Sequence, residues 1–170
     1  MHKLPRQDRL YPAAVKRLKP NWTTMCQADP ELTDLVSDAD LYDFLVECRA
    51  LLRGYFEMEN PQGFDAHECE MYVDTVLPNG VPVRGFIDRV DIAPTGQVRV
   101  VDYKTGKKPK PQWSQQAQFQ MRFYALVYWR LFDVVPTQLR LMYLKVIDSM
   151  FLTPSTEELE FFERDLGDLW

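Results

Sequence analysis

Cysteine is scarce in this 170-residue chain: Cys26, Cys48 and Cys69 are far apart, odd in number and without a CxxC pair. That pattern argues against a disulfide framework and sets a reducing, cytoplasmic compartment as the expectation. No apolar run is long enough to span a membrane, and the first 20 residues lack the apolar core of a signal peptide. Positive charge is not in excess either, since 20 Lys and Arg stand against 25 Asp and Glu for a net charge of -5. Affinity for a polyanion must therefore come from a local patch. Repeats, low-complexity tracts and interdomain linkers are absent as well. What remains, 46% hydrophobic and 26% charged residues, is the composition of one globular domain over 1–170 with a real core.

The segment 1–37 contains Pro5, Pro12, Pro20 and Pro30, which predicts an irregular stretch of short helices separated by turns. From Asp38 the apolar positions Leu41, Phe44, Leu45, Cys48, Leu51, Leu52 and Tyr55 recur every three or four residues, predicting an amphipathic helix capped by Asp38 or Asp40. Asn60 to Gly63 ends it. Extended segments follow at Glu68–Leu77, Val81–Ile92 and Gln97–Tyr103, joined by Pro78-Asn79-Gly80 and Pro94-Thr95-Gly96. Gly96 falls where a three-residue hairpin loop needs a left-handed residue. A helical pattern over Gln115–Phe132, a strand pattern over Gln138–Val146 and a last helix over Ser155–Trp170 complete an α-β-β-β-α-β-α order.

The Pro94-Thr95-Gly96 loop, closed symmetrically, sets Ile92 opposite Val98, Val90 opposite Val100 and Asp88 opposite Asp102. Alternation then puts Phe86, Asp88, Val90 and Ile92 on one sheet face with Val98, Val100, Asp102 and Lys104. Arg89, Asp91 and Arg99 take the other face, against water or another element. Opposed carboxylates about 5 Å apart repel unless a cation lies between them. A hard divalent ion is one resolution, because Mg2+ accepts one or two carboxylates together with water and phosphate oxygens. Lys104 can then orient a water or stabilise charge on phosphorus. The other reading is a structural ion pair of Asp88 with Lys104, with Asp102 merely ending a strand.

GFIDRVD at 85–91, VVDYKTGK at 100–107 and QMRFY at 120–124 resemble consecutive motifs of the RecB-like branch of the PD-(D/E)XK nucleases. The likeness spans roughly Glu68 to Leu144 and includes LRLMYLK from Leu139. It implies an α/β restriction-endonuclease-like core, α-β-β-β-α-β, with a mixed central sheet flanked by helices. Carried over by position, it makes Asp88 and Asp102 metal ligands, with the Tyr103 backbone carbonyl as a third, and Lys104 the catalytic lysine. Gln120 and Tyr124, four apart on a helix, would point together at the metal or the DNA backbone; without the resemblance, Tyr124 reads as core and Gln120 as a solvated face. Arg89 takes a support or phosphate-contacting role, or else is a surface or salt-bridged arginine.

The cofactor so implied is Mg2+ or Mn2+, and the function is DNA phosphodiester hydrolysis. Exonuclease action on single-stranded or end-opened DNA in recombination, repair or processing is the expected form. The alternative is a catalytically incomplete nuclease-like module that grips DNA or a helicase partner. Many members of the branch carry an N-terminal histidine motif that supplies another metal ligand, and it cannot be placed here. His2 and His67 lack its context and read as surface histidines, while Leu4 to Trp22 resembles sequence that follows the motif in relatives, which would make the chain a fragment or a naturally shortened form. Glu70 is a substitute carboxylate or a solvent-facing residue. No cysteine follows Cys69, so the four-cysteine iron-sulfur cluster of some relatives is not expected. The local basic patch is KTGKKPKPQW, in which Lys107, Lys108 and Lys110 can contact phosphate and Trp113 can stack on a base or be buried. Pro109 and Pro111 keep it extended.

Overall fold

Residues 2–110 and 114–170 are described by the structure, a computed structural model. The chain forms two compact units, one reaching to Asp65 and taking in Leu144–Ile147, the other comprising Ala66–Tyr143 and Asp148–Trp170.

The first unit holds a 3-10 turn at Arg6–Asp8 and helices α1 (Tyr11–Ala28), α2 (Leu32–Leu35) and α3 (Leu41–Met58). The periodic stretch from Leu41 is helical as expected, whereas the irregular 1–37 segment is not what forms: α1 runs 18 residues through Pro20. Pro12 lies in the first turn, where its missing N–H costs nothing. Pro20 does remove one helical hydrogen bond. Packing of α1 on α3 offsets that loss, through Trp22 on Phe44 and Tyr11 on Phe56. Arg9, 4% exposed, draws the N-terminal segment onto the turn after α3, donating to Pro61 O, Phe64 O and the Asp65 carboxylate. His2 is half-buried rather than a surface histidine, with its Nε2 2.9 Å from the Tyr55 hydroxyl and its ring against Phe64.

The second unit is built on one mixed sheet in the order β1-β2-β3-β4-β5. Its strands are β1 (Glu68–Val76), β2 (Pro82–Ile92), β3 (Val98–Lys104), β4 (Gln138–Tyr143) and β5 (Asp148–Leu152). Among the described residues only β3 and β4 pair in parallel, and the chain crosses between them through α4 (Gln115–Phe132), as a parallel connection requires. Met121, Ala125, Leu126 and Tyr128 of α4 join Val83, Ile87, Val90, Val100, Leu139 and Leu141 in one core. Helix α5 (Thr156–Leu169) adds Leu159 and Phe162 to it, and starts with a capping box in which Ser155 and Glu158 each accept the other's backbone N–H. This α/β architecture, a mixed sheet with helices packed on it, is the fold class read from the sequence.

The strand expected over Gln138–Val146 stops at Tyr143, and a turn at 144–147 leads into β5, which the sequence reading omits. The turn carries Val146 and Ile147 instead of Gly or Asn, and Ile147 takes φ 54, so the usual turn signals are missing. Space for that turn comes from Gly54 of α3, where a Cβ would lie 2.0 Å from the Leu144 carbonyl oxygen. Gly96 adopts φ 84 in its hairpin loop, as expected.

Candidate functional site

The β2–β3 ladder runs from Ile92↔Val98 to Arg89↔Val101 in the expected register. Asp88 and Asp102 lie one step beyond its last pair. There the Tyr103 N–H donates to Asp88 Oδ2 at 2.8 Å, so a side chain takes the place of a ladder acceptor. On the opposite edge, the β1–β2 ladder passes from Cys69↔Arg89 to Met71↔Ile87 without pairing Asp88, and Glu70 across from it sits at φ 57. The sheet is therefore irregular on both sides of Asp88. Positive φ in a glutamate is uncommon, and Glu70 itself is exposed.

Asp102 is held at depth because β3 is an inner strand, paired through Asp102↔Leu141 and Lys104↔Tyr143 with β4. It is only 3% exposed. Lys104 Nζ lies 2.7 Å from its Oδ2, and Gln120 Nε2 donates to Oδ1 at 3.3 Å. The same Gln120 amide reaches the Tyr124 hydroxyl at 3.2 Å, so the one-turn spacing on α4 places both side chains beside the carboxylate. Burial pushes the Asp102 carboxyl above the ordinary carboxylate range, Lys104 opposes that, and the neighbouring Asp88 charge adds to it. The Tyr124 phenol is pushed up too, chiefly by burial, with Asp102 and Asp88 contributing. Asp88, Asp102, Lys104, Gln120 and Tyr124 thus share one electrostatic environment.

The opposite pattern holds for Arg89. It is fully buried, its guanidinium pairs with Asp91 at 3.0 Å, and it donates to the Tyr103 hydroxyl. Arg99 holds the other Asp91 oxygen at 2.8 Å. A carboxylate between two guanidiniums balances the buried charge, so Arg89 supports the hairpin and offers no surface to a phosphate. Asp91 is buried with it, while Phe86 and Ile92, expected on the apolar face, are 59% and 39% exposed. Strict alternation fails because β2 contributes Ile87 and Val90 to the same core, with the irregular Asp88 position between them.

In the basic loop, Lys107 and Lys110 are exposed. Lys108 is not available to phosphate in the same way, since it pairs with Asp148 at 2.7 Å and donates to Ser149 O. That pairing holds the Asp148 carboxyl below the usual range. Pro111 and Trp113 lie outside the described residues. Two clefts, of about 530 Å3 and about 300 Å3, open beside Lys104 and Gln120, and bring in Arg84, Gln116 and Phe119, which the sequence reading did not single out. Gln116 and Phe119 lie one turn or less before Gln120 on α4, a helical spacing that could have drawn attention to them.

The donor set suits a hard cation only in part. Two carboxylates converge where strands part, and the buried Asp102 is short of compensating charge, which fits an ion that completes its shell with water and phosphate oxygens. Against that, among the described residues no group of three or more His, Cys, Asp or Glu gathers to hold a metal. No helix among the described residues is long and apolar enough to cross a membrane.

No curated protein matches the chain. Among solved structures it is similar to that of SSO0001, at 17% identity and a TM-score of 0.42, over 89% of this chain and 71% of that one. The profile of the PD-(D/E)XK nuclease superfamily matches residues 4–168, nearly the whole chain. With a mixed α/β sheet that breaks its pairing at the two aspartates, and with that match from end to end, the chain belongs to the PD-(D/E)XK nuclease superfamily.

Proposed function

We propose that the chain is a RecB-like nuclease-type domain that grips DNA at the Asp88–Asp102–Lys104 centre while holding an incomplete metal site. The observation that carries this is the donor count: two carboxylates and a lysine, with no third His, Cys, Asp or Glu gathered beside them among the described residues. Lys104, in contact with Asp102, provides part of the charge compensation that a metal would otherwise supply. In this reading the 170 residues act as one DNA-gripping domain, and a helicase or recombination partner presents the strand. Lys107 and Lys110 supply the salt-dependent share of the affinity.

A second reading, a Mg2+- or Mn2+-dependent deoxyribonuclease acting at single-stranded or opened ends, is favoured by the convergence of Lys104 and Gln120 on Asp102. Asp88, Asp102 and the Tyr103 carbonyl would hold the ion, whose chemistry there is to generate a nucleophile from water and neutralise charge on phosphorus. Lys104 would orient that water or the phosphoryl oxygen, and Gln120 with Tyr124 would fix the Asp102 carboxylate. End-labelled single- and double-stranded DNA incubated with Mg2+, Mn2+ or EDTA separates the two. Binding without cleavage supports the gripping module. Metal-dependent cleavage that disappears in Asp102→Ala overturns it in favour of the deoxyribonuclease, and neither binding nor cleavage overturns both.

A further inference from the structure

Phe119 of α4 is 44% exposed. It lines the larger cleft together with Arg84 of β2, Phe123 and the central Lys104 and Gln120. Its ring is held edge-on by Phe162, with centroids 5.1 Å apart, so its orientation is set before anything binds. Arg84 is exposed. Across the ladder it faces Asp74, whose carboxylate already accepts the Tyr72 hydroxyl at 2.9 Å. The smaller cleft shares Lys104 and Gln120 and continues to Lys107 and Pro109. A guanidinium and an oriented ring therefore stand on one side of the centre, and an exposed lysine on the other.

The occupant that satisfies this arrangement offers a flat π face beside an anion, and repeats the anion further along. A nucleotide within a single strand does so. A base pair inside a duplex keeps its faces stacked on its neighbours and cannot present one to Phe119. We infer that the cleft between β2 and α4 is a nucleotide subsite for single-stranded nucleic acid, in which a base stacks on Phe119 and its phosphate meets Arg84. The strand then crosses Lys104 and leaves toward Lys107. This rests on the DNA-gripping reading and adds to it the strandedness and the residues that set it.

The test is fluorescence anisotropy of the full chain in EDTA with a labelled oligothymidylate and with a hairpin duplex. Loss of one base–aromatic stack corresponds to a weakening of about 5- to 150-fold, expected for the single strand in Phe119→Leu. That variant keeps apolar packing on Phe162, and Phe119→Trp should restore the affinity. Duplex affinity should change less than twofold in either. Arg84→Gln should lower the slope of log affinity against log salt by about 0.7 for the single strand. Single-strand affinity unchanged in both Phe119→Leu and Arg84→Gln, with the wild type still binding DNA, would overturn the subsite and leave the parent reading intact. A wild type that binds neither probe would overturn the parent reading and the subsite with it.

Discussion

Replacing Asp102 by asparagine should make the metal-free protein more stable. Asp102 is 3% exposed, its only close cation among the described residues is Lys104, and Asp88 adds a like charge. Burial raises the carboxyl pKa in the folded chain, so the folded state favours the protonated form more than the unfolded state does. The stability tied to that proton is full below the unfolded pKa and is lost as pH rises through the folded one. At neutral pH the ionised group is therefore a net cost. An uncompensated buried polar or charged group costs about 1–3 kcal/mol. Lys104, with 29% of its side chain exposed, returns no more than about 1 kcal/mol after solvent screening. Asparagine keeps an acceptor for Gln120 and loses the charge, for a net gain of up to about 2 kcal/mol. For a chain of this size that corresponds to a rise in Tm of up to about 8 °C. Differential scanning calorimetry in EDTA at neutral pH measures it, and the gain should shrink as pH is lowered. Asp102→Asn melting below the wild type in EDTA at neutral pH would refute the reasoning, because it would mean that the ion pair outweighs desolvation.

Gly54→Ala should be among the most damaging single substitutions, since its Cβ would overlap the Leu144 carbonyl at 2.0 Å. A loss of about 1–3 kcal/mol is expected from urea denaturation, and a change below a few tenths would show that the turn at 144–147 yields freely. Neutralising Lys107 and Lys110 together should reduce the salt slope of single-strand binding by about 1.4, measured by anisotropy. Lys108→Gln should change it less, because Asp148 already pairs with that ammonium. The Asp65 carboxyl, held below the usual range by Arg6 and then Arg9, should titrate by carbon-13 NMR at a lower pH than an ordinary aspartate. Its contribution to stability is present above the unfolded pKa and fades as pH falls through the folded value. Arg6→Gln should move the midpoint upward, and an unmoved midpoint would remove that arginine as the cause.

The sequence by itself was enough for the order of β1 to β4 with α4 and α5, the register of the β2–β3 hairpin and the superfamily. Each of these is written in local patterns: alternation in strands, a three-residue turn with glycine at its left-handed position, and two motifs separated by that turn. Neighbours along one strand or one helix are fixed by backbone period, so Asp102 and Lys104, or Gln120 and Tyr124, could be placed on common faces without a structure. Helix α1 was not legible, because proline's local cost is visible in sequence while the packing of Trp22 and Tyr11 on α3 that offsets it is not. Nor was β5, whose preceding turn uses Val146 and Ile147 and depends on an opening left by the distant Gly54.

Tertiary structure alone decided how charge is shared. Arg89 and Lys104 are both basic residues beside an aspartate in the sequence. One is buried between Asp91 and Tyr103, while the other stands at a cleft mouth against a desolvated carboxylate. Lys107 and Lys108 are adjacent, yet only Lys108 finds Asp148, which lies 40 positions away. Phe119 and Arg84 come from elements that nothing local connects, and they share a cleft because α4 packs on the sheet. Burial and long-range pairing set the electrostatic worth of a residue, and both depend on contacts between parts of the chain that sequence period does not relate.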